Sequence, residues 1–394
     1  MPSTPHAGRV ALALHVAFSL ILFAAFALRE TSASYLVLGV AAVYALAQLP
    51  RIRRALPAER RILAIWIAGA ASLAAVSLPR AGLSVTFHLL IVLATTGAAF
   101  GATRNPRTWW RVSQMTLLAT QAWVLAYLTT TGLTGFPLED LIADSSSNGI
   151  TSYLLVLQVN YCLVHYALRR RFAWLTLLAT VFICVVGYGR GSIVASIALL
   201  AASLVVSAVS HTARSRAPVV IALVLAAWGG VRYRDDLGVF LEANTKFGVA
   251  TGDFHRALII DEYLRELTPA TVIVGGTFDR TVINRAYNGN PHNSFIRAHH
   301  IFGIGMLLAL LALPFAAQPR GWTWAGRGYL LLGFGVLYFR AFTEPILFPT
   351  LLDYYFLGMC FTLCAARPDD GALDRQAAPT SIGLPAPLPL GVTA

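Results

Sequence analysis

The sequence predicts an all-α polytopic membrane protein of about twelve transmembrane helices, with one large extramembrane loop containing short helices. Three observations predict it. The 394 residues are 57% hydrophobic and 12% charged, whereas a soluble domain carries about 25% charged residues. Mean hydropathy is +0.66. Apolar stretches near the roughly 20 residues that cross a hydrocarbon core recur from one end of the chain to the other. They are not the short alternating segments of barrel strands, so helices are the remaining way to satisfy backbone polar groups in lipid. The same composition excludes a soluble globular enzyme.

Walking the chain gives spans near 11–28, 33–49, 62–78, 85–102, 112–131, 149–168, 172–189, 191–210, 217–231, 293–315, 328–344 and 346–366. The first follows a short basic stretch, as a signal peptide would. It lacks a small-residue cleavage site and a second apolar segment follows at once, so it reads as a span. Arginines set the orientation. Arg51, Arg53, Arg54, Arg60 and Arg61 follow span two, and Arg104, Arg107 and Arg111 follow span four. Arg169, Arg170 and Arg171 follow span six, Arg214 and Arg216 span eight, Arg320 and Arg327 span ten. All these loops share one side, while the opposite short loops hold Arg29 and Arg80. Basic loops face the cytoplasm, which places both termini there.

The formal net charge of +12 comes almost wholly from arginine, with Lys246 the one lysine. Because the arginines sit in loops between spans, topology accounts for them and nucleic-acid binding is not implied. Cys162, Cys184, Cys360 and Cys364 all lie in apolar segments. No histidine or carboxylate completes a metal site beside Cys360 and Cys364, so they read as packing residues.

The chain therefore divides into a nine-helix region (1–231), an exoplasmic loop (232–291), a three-helix region (292–366) and a tail (367–394) rich in Pro, Ala and Leu. The tail reads as disordered and cytoplasmic. A second, acidic and serine-rich segment, Gly132 to Gly149, lies on the loop's side. Within the large loop, His255 to Leu267 reads as an amphipathic helix with Ala257, Ile260, Leu264 and Leu267 on one face and Gly252-Asp253 at its start. Gly275-Gly276 and Asn288-Gly289-Asn290-Pro291 are turn signals.

Charges at a membrane edge need an account. Arg190 stands in Gly187-Tyr188-Gly189-Arg190-Gly191-Ser192, where two spans meet with almost no loop. Arg256 opens the amphipathic helix, and His292 stands at the mouth of span ten, before Asn293 and Ser294, which suit a helix cap. Taken singly, these read as a snorkelling arginine, a solvated face and a capping or packing histidine. Topology, however, puts all three on one side. Two guanidiniums clamp a diphosphate, and a histidine takes a proton from a hydroxyl near neutral pH. Asp253, Asp261, Glu262 and Asp279 are scattered, so arginine would have to neutralise a leaving diphosphate in place of a metal ion.

These residues resemble the O-antigen ligase and O-antigen polymerase superfamily of bacterial envelope glycan transferases, mainly over residues 187–311. Gly189-Arg190-Gly191-Ser192 is similar to the family's Ser-Arg-Gly/Ser segment. Arg256 in Phe254-His255-Arg256-Ala257, followed by Val274-Gly275-Gly276, is similar to its loop arginine and Gly-x-Gly turn. Pro291-His292-Asn293-Ser294-Phe295-Ile296, with Gly303 eleven residues on from His292, is similar to its His-Asn helix start. The chain departs from the pattern in a glycine before Arg190 and in lacking the tryptophan after Arg256.

The resemblance implies a GT-C-like fold in the bacterial inner membrane. It also implies inverting, metal-independent transfer of a glycan from undecaprenyl diphosphate on the periplasmic face, with no cofactor. Arg190 and Arg256 would hold the diphosphate and His292 would activate the acceptor hydroxyl. Asn293, Arg297 and Arg340 are further substrate-binding candidates. Arg297 either completes the phosphate site or faces headgroups, and Arg340 with Glu344 at i,i+4 reads equally as a structural ion pair. The roles of His299, His300 and Asp353 stay open. The acceptor is either lipid A-core or another carrier-linked glycan, with a lean to the polymerase, for which a chain-length regulator is a compatible partner. The alternative is a transporter or flippase for a lipid-linked saccharide or anionic solute. That class favours inverted repeats with charges at the midplane.

Overall fold

A computed structural model describes residues 5–28, 31–52, 55–133, 137–142, 147–210, 254–319 and 321–366, with a few positions between 228 and 239. Nearly all of the predicted span 217–231, the Arg214 and Arg216 loop, the Gly252-Asp253 helix start and the tail 367–394 lie outside the described residues. The described residues contain helices and no strands. Nine helices precede the large loop: α1 (Pro5–Leu28), α2 (Thr31–Ile52), α3 (Pro57–Ala71), α4 (Ala74–Ala81), α5 (Leu83–Ala102), α6 (Pro106–Thr131), α7 (Ser147–Arg169), α8 (Trp174–Val186) and α9 (Arg190–Ser210). Seven more are described from residue 254 on, the first three within the large loop: α10 (Phe254–Arg265), α11 (Pro269–Val274), α12 (Val282–Tyr287), α13 (Ser294–Phe302), α14 (Ile304–Ala316), α15 (Trp324–Thr343) and α16 (Asp353–Ala365).

Three described stretches are long and apolar enough to cross a membrane: Arg9–Ala27, Ser84–Ala102 and Arg190–Val209. Tyr35–Gln48, Trp174–Val186 and Ile304–Ala316 are shorter apolar helices. Three predicted spans are not continuous. Span 62–78 breaks at Ser72-Leu73 into α3 and α4. Span 293–315 breaks at Gly303, whose φ of +67° opens a left-handed turn between α13 and α14. Only glycine takes that conformation there without strain, and Ile273 O lies where a Cβ would be. The predicted last span begins with seven non-helical residues, 346–352, before α16 starts at Asp353. Periodicity detects apolar character, and these breaks leave it intact.

α7 is the hub. It packs against α6, α8, α9, α15 and α16, and its residues from Ile150 to Val164 are all buried. A helix apolar on every face would pack without preference, so polar side chains inside the bundle fix its partners. Gln121 Nε2 on α6 donates to Thr176 O at 2.7 Å and to Thr180 Oγ1 at 2.9 Å on α8. Thr180 Oγ1 in turn donates to Gln158 Oε1 on α7 at 2.9 Å. Trp109 Nε1 donates to Asn160 Oδ1 at 3.2 Å, and Asn160 Nδ2 to Ser113 Oγ at 2.9 Å.

Small residues bring backbones together where polar groups do not. A Cβ on Gly97 of α5 would collide with Ala45 of α2, and one on Gly358 of α16 with the Trp109 indole. At one end of the bundle the arginines rest on rings: Arg169 lies 4.6 Å from the Trp110 centroid and Arg170 4.8 Å from that of Trp322.

The loop helices form a satellite core. Ile259 and Tyr263 of α10 meet Phe278, Ile283 and Ile296. The face expected at Ala257, Ile260, Leu264 and Leu267 is therefore displaced: Ala257 and Leu264 are exposed, and Ile260 and Leu267 are only partly buried. An aromatic at Tyr263 and a β-branched Ile259 one turn earlier set the buried edge instead.

Gly358→Val drives two methyl groups into the Trp109 ring, and overpacking of this kind costs about 1–3 kcal/mol. Fluorescence-detected size-exclusion after heating steps will show a lower thermal midpoint for Gly358→Val than for wild type. Gly335→Val serves as the control, since a Cβ at Gly335 meets nothing within 4 Å.

Candidate functional site

The site is built where α9, α10, α13 and the end of α15 meet. Its deepest member is Arg340, 1% exposed on the last turn of α15. A guanidinium buried this far needs partners, because the desolvation cost is several kcal/mol for an ion left without them. Nη1 donates to Thr343 Oγ1 at 3.0 Å, and Nη2 donates to Ser152 Oγ on α7. Nε is buried with no hydrogen-bond partner among the described residues. Room for the group comes from Gly191 in the first turn of α9, where a Cβ would collide with Nη1.

Glu344 caps the same helix one turn on. The expected i,i+4 pair with Arg340 does not form. The Glu344 carboxylate accepts from Arg256 Nη2 of α10 at 2.6 Å instead. Glu344 leaves the helix with φ −148° and ψ 145°, which turns its side chain from the Arg340 row toward the loop. Arg340 still feels both Glu344 and Arg256 electrostatically. The Glu344 backbone carbonyl accepts from Ser294 Oγ at 2.9 Å, and Ser294 Oγ accepts from Leu347 N at 3.2 Å. One glutamate thus ties α10, α13 and α15 together.

Ser294 places His292 at this junction, two residues before it. His292 has φ +46°, and its N–H donates to Asn290 Oδ1 at 3.0 Å. Its ring meets the Tyr287 ring edge-on at 5.2 Å, and Tyr287 OH is 2.9 Å from His255 Nδ1. The half-buried imidazole is held by an aromatic neighbour and a turn. Asn293 is 3% exposed and acts as the N-cap of α13, its Oδ1 accepting from Phe295 N at 2.8 Å and Ile296 N at 3.1 Å. That leaves only its amide NH2 to offer a ligand.

Arg190 starts α9, half-buried, beside the Gly191 that touches Arg340. A Cβ on Gly189 would collide with Asn148 Oδ1 of α7, and Ser192 Oγ lies 2.7 Å from Thr151 Oγ1. The glycines flanking Arg190 thus serve close packing of α9 on α7 and on Arg340. Part of the acidic segment folds over the same corner, with Leu138 and Ile142 buried and Leu133 O accepting from Tyr188 OH at 3.2 Å.

The structure therefore joins Arg256, Glu344 and Arg340 through direct contact or charge, and attaches Arg190 and His292 through their chain neighbours. Two guanidiniums, Arg256 by ion pair and Arg340 by charge, act on the one Glu344 carboxylate, an excess of positive charge suited to a polyanion. Arg297 stands apart from this cluster. Its Nη1 donates to Pro345 O at 3.0 Å, and its side chain lines a cavity that none of the other candidates lines. Asp353 also stands apart, its carboxylate accepting from Phe348 N at 3.0 Å and Thr350 N at 2.9 Å. In the loop, Asp261 pairs with Arg265 at 2.8 Å and Glu262 with Arg285 at 3.1 Å, while Asp279 accepts from Thr277 Oγ1 at 2.7 Å.

His299 and His300 are clamps. Val272 O is a pure acceptor, so His299 Nε2, at 2.8 Å, carries the hydrogen, and Nδ1 accepts from Tyr263 OH at 2.7 Å. Tyr263 OH also accepts Gly276 N–H at 3.1 Å. His300 Nδ1 donates to Gly276 O at 2.7 Å, with its ring stacked 3.8 Å from that of Phe278. Sequence reasoning missed Ser152, Thr343 and Tyr287, and it read Ser294 only as a helix cap, not as the partner of Glu344 O. Only Ser294 carries a local signal, its place beside a helix cap.

Comparison with protein-family models, with curated proteins and with solved structures returned no match.

Gly191→Val displaces the Arg340 guanidinium and Ser152→Ala removes one of its acceptors. Each will lower the apparent thermal midpoint, by about 1–3 kcal/mol of stability. An Arg340→Met background will blunt both effects in a double-mutant cycle, which reads the coupling directly.

Proposed function

We propose that the chain is an inverting, metal-independent glycan transferase that takes its glycan from an undecaprenyl-diphosphate carrier at the periplasmic face of the bacterial inner membrane. On this reading about twelve spans make a GT-C-like frame with both termini in the cytoplasm. The observation that carries it is the junction of Arg256, Glu344 and Arg340, with Arg190 and His292 attached to it by neighbouring residues.

The Arg256–Glu344 ion pair presets a guanidinium in a half-buried site. A diphosphate competes with the carboxylate for it and gains bidentate, charge-assisted hydrogen bonds. Arg190 and Arg340 add positive charge where the leaving diphosphate would develop its own. His292 takes the proton of the acceptor hydroxyl as that oxygen attacks the anomeric carbon. The bond from that carbon to the diphosphate oxygen breaks, the configuration inverts, and undecaprenyl diphosphate leaves with the electron pair. A positioned general base contributes about 10²–10⁴-fold to such a step. The charges gather at helix ends beside an extramembrane segment, which favours an enzyme over a transporter with its site at the midplane.

The test is the envelope glycan profile of a deletion strain complemented with wild type, His292→Ala or Arg190→Ala, with membrane levels matched. Both variants should lose the long-chain product. Single repeats retained on lipid A-core mark a polymerase, and full-length polymer stranded on the carrier marks a ligase. An unchanged profile from well-inserted variants refutes the site and the proposed reaction.

A further inference from the structure

Two of the broken spans meet at one level. α3 has 15 residues and α14 has 13, so they rise about 22 Å and about 20 Å. α3 carries Arg60 and Arg61 in its first turns and α14 ends before Arg320, so by the arginine topology both measure depth from the same side. They pack along each other, Gly69 against Ala309 and Gly305 against Ser72. Their breaks touch: a Cβ on Gly303 would collide with Leu73 Cδ1. A hydrocarbon core is about 30 Å thick, so this level lies inside it, short of the far headgroups. Tilt, or a start among the near headgroups, only places it deeper.

The large loop reaches down to this level. Ile273 O of α11 stands where a Gly303 Cβ would be, and Ser77 Oγ of α4 donates to Val274 O at 3.1 Å. α11 also packs on α13 and α14. Yet Val272 and Ile273 are 41% and 52% exposed. Their surroundings are exposed and apolar too: Val76 and Leu78 flank Ser77 on α4, and Leu308 and Leu311 follow the Gly303 break on α14. The outward side of an apolar helix such as α14 faces acyl chains, and α11 continues that surface.

The backbone carries the same sign. Water satisfies the polar groups of a turn that lies in water, whereas at membrane depth each group needs a protein partner. Here side chains supply four of them. Val272 O accepts from His299 Nε2 at 2.8 Å, and Val274 O from Ser77 Oγ. Gly276 N donates to Tyr263 OH at 3.1 Å, and Gly276 O accepts from His300 Nδ1 at 2.7 Å. Gly275 N closes the turn on Thr271 O at 2.8 Å. Side chains of α4, α10 and α13 thus converge on the peptide groups of eight residues, 269–276.

We infer that residues 269–276 form a re-entrant turn seated in the leaflet opposite the arginine loops, with Val272 and Ile273 against the acyl chains. The bilayer, and not a second protein, is the partner of this surface. The inference rests on the depth of the two breaks and on the satisfied backbone, and it holds whatever reaction the chain performs. Through His299 and His300 the turn ties α13, the helix that follows His292, to the lipid.

The test is photolabelling of the full chain in phosphatidylcholine proteoliposomes. The probe is a phosphatidylcholine with a diazirine midway along one acyl chain, and the modified peptides are mapped by mass spectrometry. Residues 269–276 should label, as should the stretch of α14 holding Leu308 and Leu311. The exposed Asn284 and Arg285 of α12 should not. Ile273→Asp should cut labelling at 269–276 about tenfold or more and leave that of α14 unchanged, since a carboxylate does not stay among acyl chains. A second probe reads depth in the wild-type chain without any substitution. With its diazirine on the choline headgroup, it should label 269–276 less than the acyl probe does. A turn in water, or one covered by a second copy or another protein, gives acyl label on α14 and none at 269–276, and that result overturns the inference. So does a headgroup probe that labels the turn more strongly than the acyl probe.

Discussion

Irregular backbone inside an apolar bundle persists only where every peptide group finds a partner, and that constraint governs residues 345–352. The Asp353 carboxylate meets it by accepting from Phe348 N and Thr350 N, while Thr350 Oγ1 donates to Ile346 O at 2.7 Å. Ser294 adds the bond from Leu347 N. At the start of the strap so fixed, the Glu344 carboxylate receives Arg256 and the next carbonyl, Pro345 O, receives Arg297.

The rest of the bundle holds that strap in place. α7 and α16 are buried along most of their lengths, and the tyrosines Tyr153 and Tyr355 meet across them at 3.2 Å. Close contacts at Gly97 and Gly358 permit no sliding between neighbours, because the facing atoms already occupy the space of a side chain. Polar bridges among Gln121, Gln158 and Thr180 then choose the rotation of each helix. Rigid scaffolding of this kind lets charged side chains stay in place despite the cost of burying them.

Much of the scaffold was legible in the residues. Apolar stretches near 20 residues long and arginine clusters locate most helices, since length and charge are local properties. The glycines around Arg190 and the Asn293 cap were legible for the same reason. What was not legible depends on distant partners. Glu344 was expected beside Arg340 on its own helix and instead pairs with Arg256, 88 positions away. Ser152 reads as one more small residue in an apolar run, yet it accepts from Arg340, 188 positions away. The breaks at Leu73 and Gly303 and the strap after Glu344 leave hydrophobicity untouched, so a composition window passes over them. The packed face of α10 was misplaced because its buried edge is set by distant partners, Phe278, Ile283 and Ile296, which meet Ile259 and Tyr263.

His299 joins three parts of the segment 254–287 to one turn of α13, through Tyr263, Val272 and, by way of Tyr263, Gly276. The satellite core also borrows Ile296 from that helix. The segment 254–287 is therefore not a cassette. Grafted onto another membrane scaffold it would arrive with its central tyrosine unclamped and one wall of its core missing. Its inheritance is tied to the helix beneath it, so loop and helix would have to diverge together.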